Sequence, residues 1–159
     1  MIQRIQSIYL LLAGIFAALA FVTPCALFTG AQPDATCSLY GCHYVASTFA
    51  EEQFTYPFGV TLMTALSTIL PLIIIFGYKN RKRQISHVNL AMLLVVAWYA
   101  VCAAYCFAAA SRTGFEVAPS YGLAFPALSL LALYPAKRGI KHDEALVRSA
   151  DRIRYGGFY

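Results

Sequence analysis

Four long apolar segments dominate this sequence, and each is close to the length that a helix needs to cross a bilayer, about 20 residues. They cover 7–28, 58–78, 88–110 and 117–136. Charged residues make up only 12% of the chain, whereas soluble domains carry about 25%. We therefore predict an all-α, polytopic membrane protein, built as a four-transmembrane-helix bundle with a cytoplasmic C-terminal amphipathic helix.

The first and last apolar segments have alternative interpretations. The first follows Arg4 and resembles a signal peptide, but it is longer than the usual apolar core of such a peptide, about 7–15 residues. We expect it to be an uncleaved span. The last contains Pro119, Pro126 and Pro135, and its alternative is a buried helix of a soluble core. We expect a fourth span, because an even number of spans returns the chain to the side on which it began.

Basic residues are concentrated in the segments that would face one side of the membrane. The connections over 29–57 and 111–118 together contain one basic residue, Arg112. Short loops rich in Lys and Arg stay in the cytoplasm, so we predict that both termini are cytoplasmic and that these two connections lie outside. The predicted basic residues at the inner membrane surface are Lys79, Arg81, Lys82, Arg83, Lys137 and Arg138.

The predicted partners of this basic surface are anionic lipid headgroups, which attract each Lys or Arg near the membrane by about 1 kcal/mol. Nucleic-acid binding is the alternative use of such a patch. We expect no nucleic acid as partner, because the orientation rule already explains the charge pattern.

Small and hydroxyl-bearing residues recur at helical spacing within the spans. Such residues let helices approach closely in lipid, and hydroxyls bond across helices or back to the preceding turn. A proline inside a span is expected to kink it. The predicted packing residues are Gly14, Ala18, Thr61, Thr64, Thr68, Pro71 and Pro126.

Two other uses of the spans remain open at this point. A homo-oligomeric pore or a carrier of lipid or small solutes would line its path with the three threonines, although no ionisable residue lies in the middle of a span, where coupled transporters place one. Trp98 and Tyr105 share a helix face, and we expect them to pack on a neighbouring helix with polar partners. A quinone or lipid pocket is the alternative.

Cysteines cluster towards the predicted outer side of the membrane. Cys37 and Cys42 flank a turn at Gly41 in the first outer connection, and we predict that they form a disulfide if that compartment is oxidising. Cys25 lies at the outer end of the first span, and Cys106 lies near the outer end of the third. These two side chains are therefore within possible reach of each other.

A thiol–quinone oxidoreductase that uses the outer-loop cysteines is the enzymatic alternative. Such chemistry needs a low-pKa thiolate beside a resolving partner, usually as Cys-x-x-Cys, but here four residues separate Cys37 from Cys42. Metal binding by these two residues and His43 would lack a second ligand cluster. The chain also has no phosphate loop and no Ser/His/Asp arrangement. We expect no catalytic residue, no metal and no cofactor.

The residues after 136 differ in character from those before. We predict a transmembrane domain over 1–136 and a basic, amphipathic cytoplasmic tail over 137–159. Acidic residues open the tail helix and basic residues close it, which suits the helix dipole, and Glu144 and Arg148 form an i,i+4 pair. The predicted partner-docking residues of the tail are Asp143, Glu144, Leu146, Arg148, Ala150, Asp151, Ile153 and Arg154.

The opening stretch "MIQRIQSIYLLLA" and the closing stretch "KHDEALVRSADRIR" together resemble a family of Bacteroidota membrane proteins, domain of unknown function 4293. The likeness covers the whole chain, and the closing motif is the more specific one because generic spans would not produce it. The resemblance implies a four-span protein of a Gram-negative inner membrane, with cytoplasmic termini and no known activity. We expect a non-enzymatic accessory, scaffold or assembly subunit of a larger membrane-protein complex, with protein export or envelope biogenesis as settings.

Overall fold

The computed structural model of the chain describes residues 2–30, 36–41, 43–46, 56–77 and 81–155, with side chains from 5 to 149 apart from 81–82. Within these ranges the chain is mostly helical. The helices are α1 (Ile2–Leu19), α2 (Phe58–Phe76), α3 (Arg81–Thr113) and α4 (Ala124–Tyr155).

The four helices form a bundle in which α1 and α3 each pack against both α2 and α4. Buried residues of one core cluster come from every helix, for example Leu10, Ile74, Val88 and Leu133. Ser129 on α4 donates a hydrogen bond to the Ala13 carbonyl on α1 at 2.9 Å, so these two backbones lie close together midway along the bundle.

The outer surface of the bundle is apolar on every helix. Exposed side chains include Ile8 on α1 (55%), Ile73 on α2 (58%), Leu93 on α3 (64%) and Leu131 on α4 (69%). Among the described residues, two segments are long and apolar enough to cross a membrane, Phe58–Phe76 and Arg83–Thr113. In the most apolar 18 residues of each segment, fewer than a third are buried. The core helix of a soluble protein would be mostly buried.

A four-stranded antiparallel sheet covers one end of the bundle, which corrects the prediction of an all-α fold. Three strands come from the connection between α1 and α2, and one comes from the connection between α3 and α4. Because both connections contribute to one sheet, they lie at the same end of the bundle. In sheet order the strands are β3 (Tyr44–Ala46), β2 (Thr36–Leu39), β1 (Ala26–Thr29) and β4 (Glu116–Pro119).

The sheet shortens two of the predicted spans. The first was predicted to continue to Phe28, but α1 ends at Leu19 and the chain turns into β1. Pro24 cannot donate a helical hydrogen bond, and the Cys25 N–H donates instead to the Leu39 carbonyl of β2 at 2.6 Å. The fourth was predicted to begin at Val117, but that residue lies in β4.

Helix α4 differs from the prediction in two further ways. Pro126 was expected to kink the fourth span, but it lies in the first turn of α4, where no helical hydrogen bond needs its missing N–H. The helix also runs through Pro135 to Tyr155, so the predicted boundary between 136 and 137 falls inside one continuous element.

Candidate functional site

Two glycines fix the sheet to the helices at the most crowded points of the junction. The Gly41 N–H donates to the Ala20 carbonyl at 2.8 Å, and the Gly122 N–H donates to the Pro24 carbonyl at 3.0 Å. A Cβ atom at Gly41 would lie 2.5 Å from the Ala20 oxygen, and one at Gly122 would lie 2.3 Å from the Pro24 oxygen. Only a residue without a side chain fits at either position.

A buried hydrogen-bond network lies beneath this junction. The Trp98 side chain is 1% exposed, and its Nε1–H donates to Thr64 Oγ1 at 2.7 Å. The Thr64 hydroxyl has the Val60 carbonyl at 2.7 Å and the Gly41 carbonyl at 3.2 Å as acceptors. One threonine therefore joins α2, α3 and the turn between β2 and β3.

The aromatic residues predicted to pack within the bundle do so. Trp98 bonds to Thr64, and the Tyr105 hydroxyl on α3 accepts a hydrogen bond from the Gly59 N–H on α2 at 3.2 Å. Both side chains thus combine burial with a polar partner, as the sequence indicated.

The other predicted packing residues contribute in different ways. Thr61 and Thr68 donate to the carbonyls of Pro57 and Thr64 on their own helix. Gly14 on α1 allows close contact with α2, because a Cβ there would lie 3.1 Å from a Leu72 methyl group. Ala18 is half-buried, and Pro71 lies inside α2 on its buried face.

Three cysteines line one cavity between α3 and the sheet, which we call the cysteine cavity. Its volume is about 230 Å³. Cys25, just before β1, faces the same space as Cys106, as predicted from their positions in the sequence. Tyr99 also contacts the cavity, and its hydroxyl donates to the Leu123 carbonyl. The lining residues are Cys25, Tyr99, Cys102, Ala103, Cys106, Val117, Pro119 and Leu123.

Cys37 lies in β2, buried beneath the sheet. Burial raises the pKa of its thiol from 9.0 to about 12, so the thiol is protonated at neutral pH. Cys42 lies outside the described residues, so the pairing of these two cysteines stays a prediction. Within the part of the chain that is described, no group of three His, Cys, Asp or Glu residues could hold a metal ion.

The far end of the bundle holds the beginning of the predicted tail. Gln6 Nε2 on α1 donates to Asp143 Oδ2 on α4 at 2.7 Å, an interaction that the sequence did not indicate. Glu144 and Arg148 form the predicted ion pair at 3.5 Å. Leu146 is exposed beyond this contact. The side chains of Ala150, Asp151, Ile153 and Arg154 lie outside the described part.

The described residues of the predicted basic surface are at the same end. Arg83 and Arg138 are exposed, and Lys137 is half-buried. Lys79 lies outside the described residues, as do the side chains of Arg81 and Lys82.

Comparison with known proteins gives a family but no activity. No curated protein matches the chain. The sequence profile of a family described as "Domain of unknown function (DUF4293)" matches residues 2–153, which is nearly the whole of the 159 residues. The resemblance seen in the two terminal motifs is thereby confirmed, and the chain belongs to the DUF4293 family.

Proposed function

We propose that all four helices are embedded in a bacterial inner membrane, with the sheet on the outer side and both termini in the cytoplasm. The support is the apolar outer face of every helix, since a bundle in water places polar residues there. The apolar part of α1, Ile5–Leu19, is about 22 Å long at 1.5 Å per residue, which is shorter than the hydrocarbon thickness of about 30 Å.

Exposed aromatic residues fit this placement at the sheet end. Tyr56 and Tyr121 are exposed there, and tyrosine side chains are enriched at membrane interfaces. At the opposite end the exposed residues include the basic Arg83, Arg138 and Lys141. A basic end in the cytoplasm agrees with the positive-inside rule and would attract anionic lipid headgroups.

The proposed function is a non-enzymatic accessory or scaffold subunit of a larger membrane-protein complex, with protein export and envelope biogenesis as settings. The observation that carries it is the part of α4 that continues beyond Asp143. After Asp143 the helix continues for about 18 Å at 1.5 Å per residue, and Leu146 and Val147 are exposed on it. An exposed apolar pair on a cytoplasmic helix is suited to docking a partner protein.

The two alternatives have weaker support. A pore lined by threonines would need free hydroxyls, but those of Thr61, Thr64 and Thr68 are hydrogen-bonded within the bundle. A thiol–quinone enzyme would need an outer-loop thiol with a lowered pKa, whereas burial raises the pKa of the Cys37 thiol from 9.0 to about 12.

Purification of a shortened chain from its native membrane tests this proposal. Deleting 146–159 keeps the Gln6–Asp143 contact and removes the exposed Leu146 and Val147. We expect the shortened protein to insert normally and to lose the partner proteins that co-purify with the full chain in mild detergent, as identified by mass spectrometry.

A pair of point variants separates the apolar contact from a general effect of charge. Leu146→Glu combined with Val147→Glu should release the partners. Ser149→Glu adds a charge on the same exposed turn and should retain them. If the full chain purifies without reproducible partner proteins, the proposed docking role is wrong. It is also wrong if the shortened chain retains every partner of the full chain.

A further inference from the structure

The cysteine cavity offers almost no hydrogen bonds to a ligand. The Tyr99 hydroxyl is already bonded to the Leu123 carbonyl, and the free thiols of Cys102 and Cys106 are only weak hydrogen-bond donors and acceptors. The Cys25 thiol is directed at carbonyls of its own turn, with the Thr23 oxygen at 3.7 Å. Apolar cavities stay free of water, and one of about 150 Å³ binds benzene. At about 230 Å³, this cavity suits a hydrocarbon group.

The cavity opens on the side of the bundle rather than at its end. Ala103 on α3 and Val117 and Pro119 on β4 belong to its lining and are also exposed. Phe107, one turn after Ala103, is 77% exposed. Tyr105, next to Cys106, contacts Gly59 at the start of α2, and the lining residue Leu123 follows Tyr121 closely. The mouth therefore opens in an apolar part of the surface, at the level proposed for the outer membrane interface.

We propose that the cysteine cavity binds one acyl chain of a membrane phospholipid, which enters sideways between α3 and β4. This inference rests on the proposed membrane placement, because only then does the mouth face lipid. A hydrocarbon chain fits better than the ring of a quinone, since quinone oxygens would be buried without donors, and an unpaired buried polar group costs free energy.

The single tryptophan of the chain is a built-in probe of this site. Trp98 is 1% exposed, and its ring centroid is 5.1 Å from that of Tyr99, which lines the cavity. In vesicles of phosphatidylcholine brominated on its acyl chains, bromine quenches the fluorescence of nearby indole rings. We expect brominated lipid to reduce Trp98 fluorescence at least twofold relative to unbrominated lipid, although Trp98 is buried.

Blocking the mouth should restore the fluorescence. Ala103→Phe fills the entrance from an exposed position, and Val117→Phe does the same from β4, so at least one of them is expected to fold normally by circular dichroism. Either variant should at least halve the quenching. Leu93→Phe, at an exposed position on α3 far from the mouth, is the control and should leave the quenching unchanged.

A further variant separates this inference from the membrane placement. Leu93→Trp keeps Trp98 and adds an indole ring on the outer surface, which brominated lipid should quench if α3 faces lipid. Quenching of this added ring without quenching of Trp98 would overturn the acyl-chain site alone. Absence of both would overturn the membrane placement. Equal quenching of Trp98 in the wild type and in the blocked variants would also exclude entry through the proposed mouth.

Discussion

At the scale of single residues, two glycines are required for the sheet to pack against the ends of the helices. A methyl group at Gly41 or Gly122 would lie 2.5 Å or 2.3 Å from a backbone oxygen, and backbone cannot move aside as a flexible side chain can. Overpacking of this kind costs about 1–3 kcal/mol. We expect Gly41→Ala and Gly122→Ala each to lower the free energy of unfolding by about that amount, measured by titration with SDS in mixed micelles.

Gly77→Ala is the matched control for these glycines. Its nearest contact would be the Ile74 oxygen at 3.4 Å, which is an ordinary van der Waals distance. This variant should unfold close to the wild-type midpoint. If Gly41→Ala or Gly122→Ala were as stable as Gly77→Ala, the close packing of the sheet against the helices at that glycine would be contradicted.

Trp98 and Thr64 form the second critical contact at this scale. Thr64→Val keeps the side-chain shape but removes the acceptor of the Trp98 Nε1–H, and an unsatisfied buried donor costs about 1–3 kcal/mol. We expect that loss in the same unfolding assay, together with a change in the Trp98 emission maximum. Thr64→Ser retains the hydroxyl and should keep the wild-type emission, so identical spectra for the Ser and Val variants would contradict the bond.

In the reduced protein, the buried Cys37 thiol gives a pH-dependent prediction. Its pKa is 9.0 in an ordinary environment and about 12 in the fold, so the folded state holds the proton more tightly. The resulting stability is fully present below pH 9.0 and is lost as the pH rises to about 12. We expect Cys37→Ala to lose less stability over this range than the wild type, measured by thermal unfolding. An equal loss would contradict the burial.

Sequence patterns predicted part of this chemistry. Small residues at helical spacing indicated the close approach at Gly14, and the amphipathic rings of Trp98 and Tyr105 indicated polar partners. Gly41 and Gly122 gave no such signal, because their role depends on oxygens of Ala20 and Pro24 that only the folded chain brings near.

At the scale of elements, the sheet is the main feature that the sequence patterns did not predict. Its strands contain three or four residues each, too few for a period-two pattern to stand out. Ala26–Thr29 also continues an apolar run directly, so a helix was the simpler interpretation of the sequence. The pairing of β1 with β4 joins segments distant in the chain, and this long-range register also creates the cysteine cavity.

Helix α4 gives the prediction that belongs to this scale. Past Pro135 it packs against α1, where Gln6 donates to the Asp143 carboxylate. A hydrogen bond to a charged group contributes about 1.5–3 kcal/mol. We expect a double-mutant cycle with Gln6→Ala and Asp143→Ala to give a coupling of at least about 0.5 kcal/mol in unfolding measurements. Additive effects would show that the two helix ends do not support each other.

At the scale of the whole molecule, one sheet made from two connections ties the bundle together at one end. The charge pattern predicted that these connections share a side, and the pairing of β1 with β4 puts them at the same end. The crossing of the membrane by α1 and α4 stays a prediction, because α1 has a shorter apolar stretch and α4 continues into a charged helix.

The position of the termini relative to the sheet decides between two spans and four. If only α2 and α3 cross the membrane, both termini lie on the same side as the sheet, whereas four crossing helices put them on the opposite side. The measurement is protease protection in inverted membrane vesicles, with one epitope tag at the N-terminus, at the C-terminus or after Gly114 in separate proteins. We predict that both terminal tags are digested and that the tag after Gly114 is protected. Protection of the terminal tags together with the tag after Gly114 would contradict the four-span bundle.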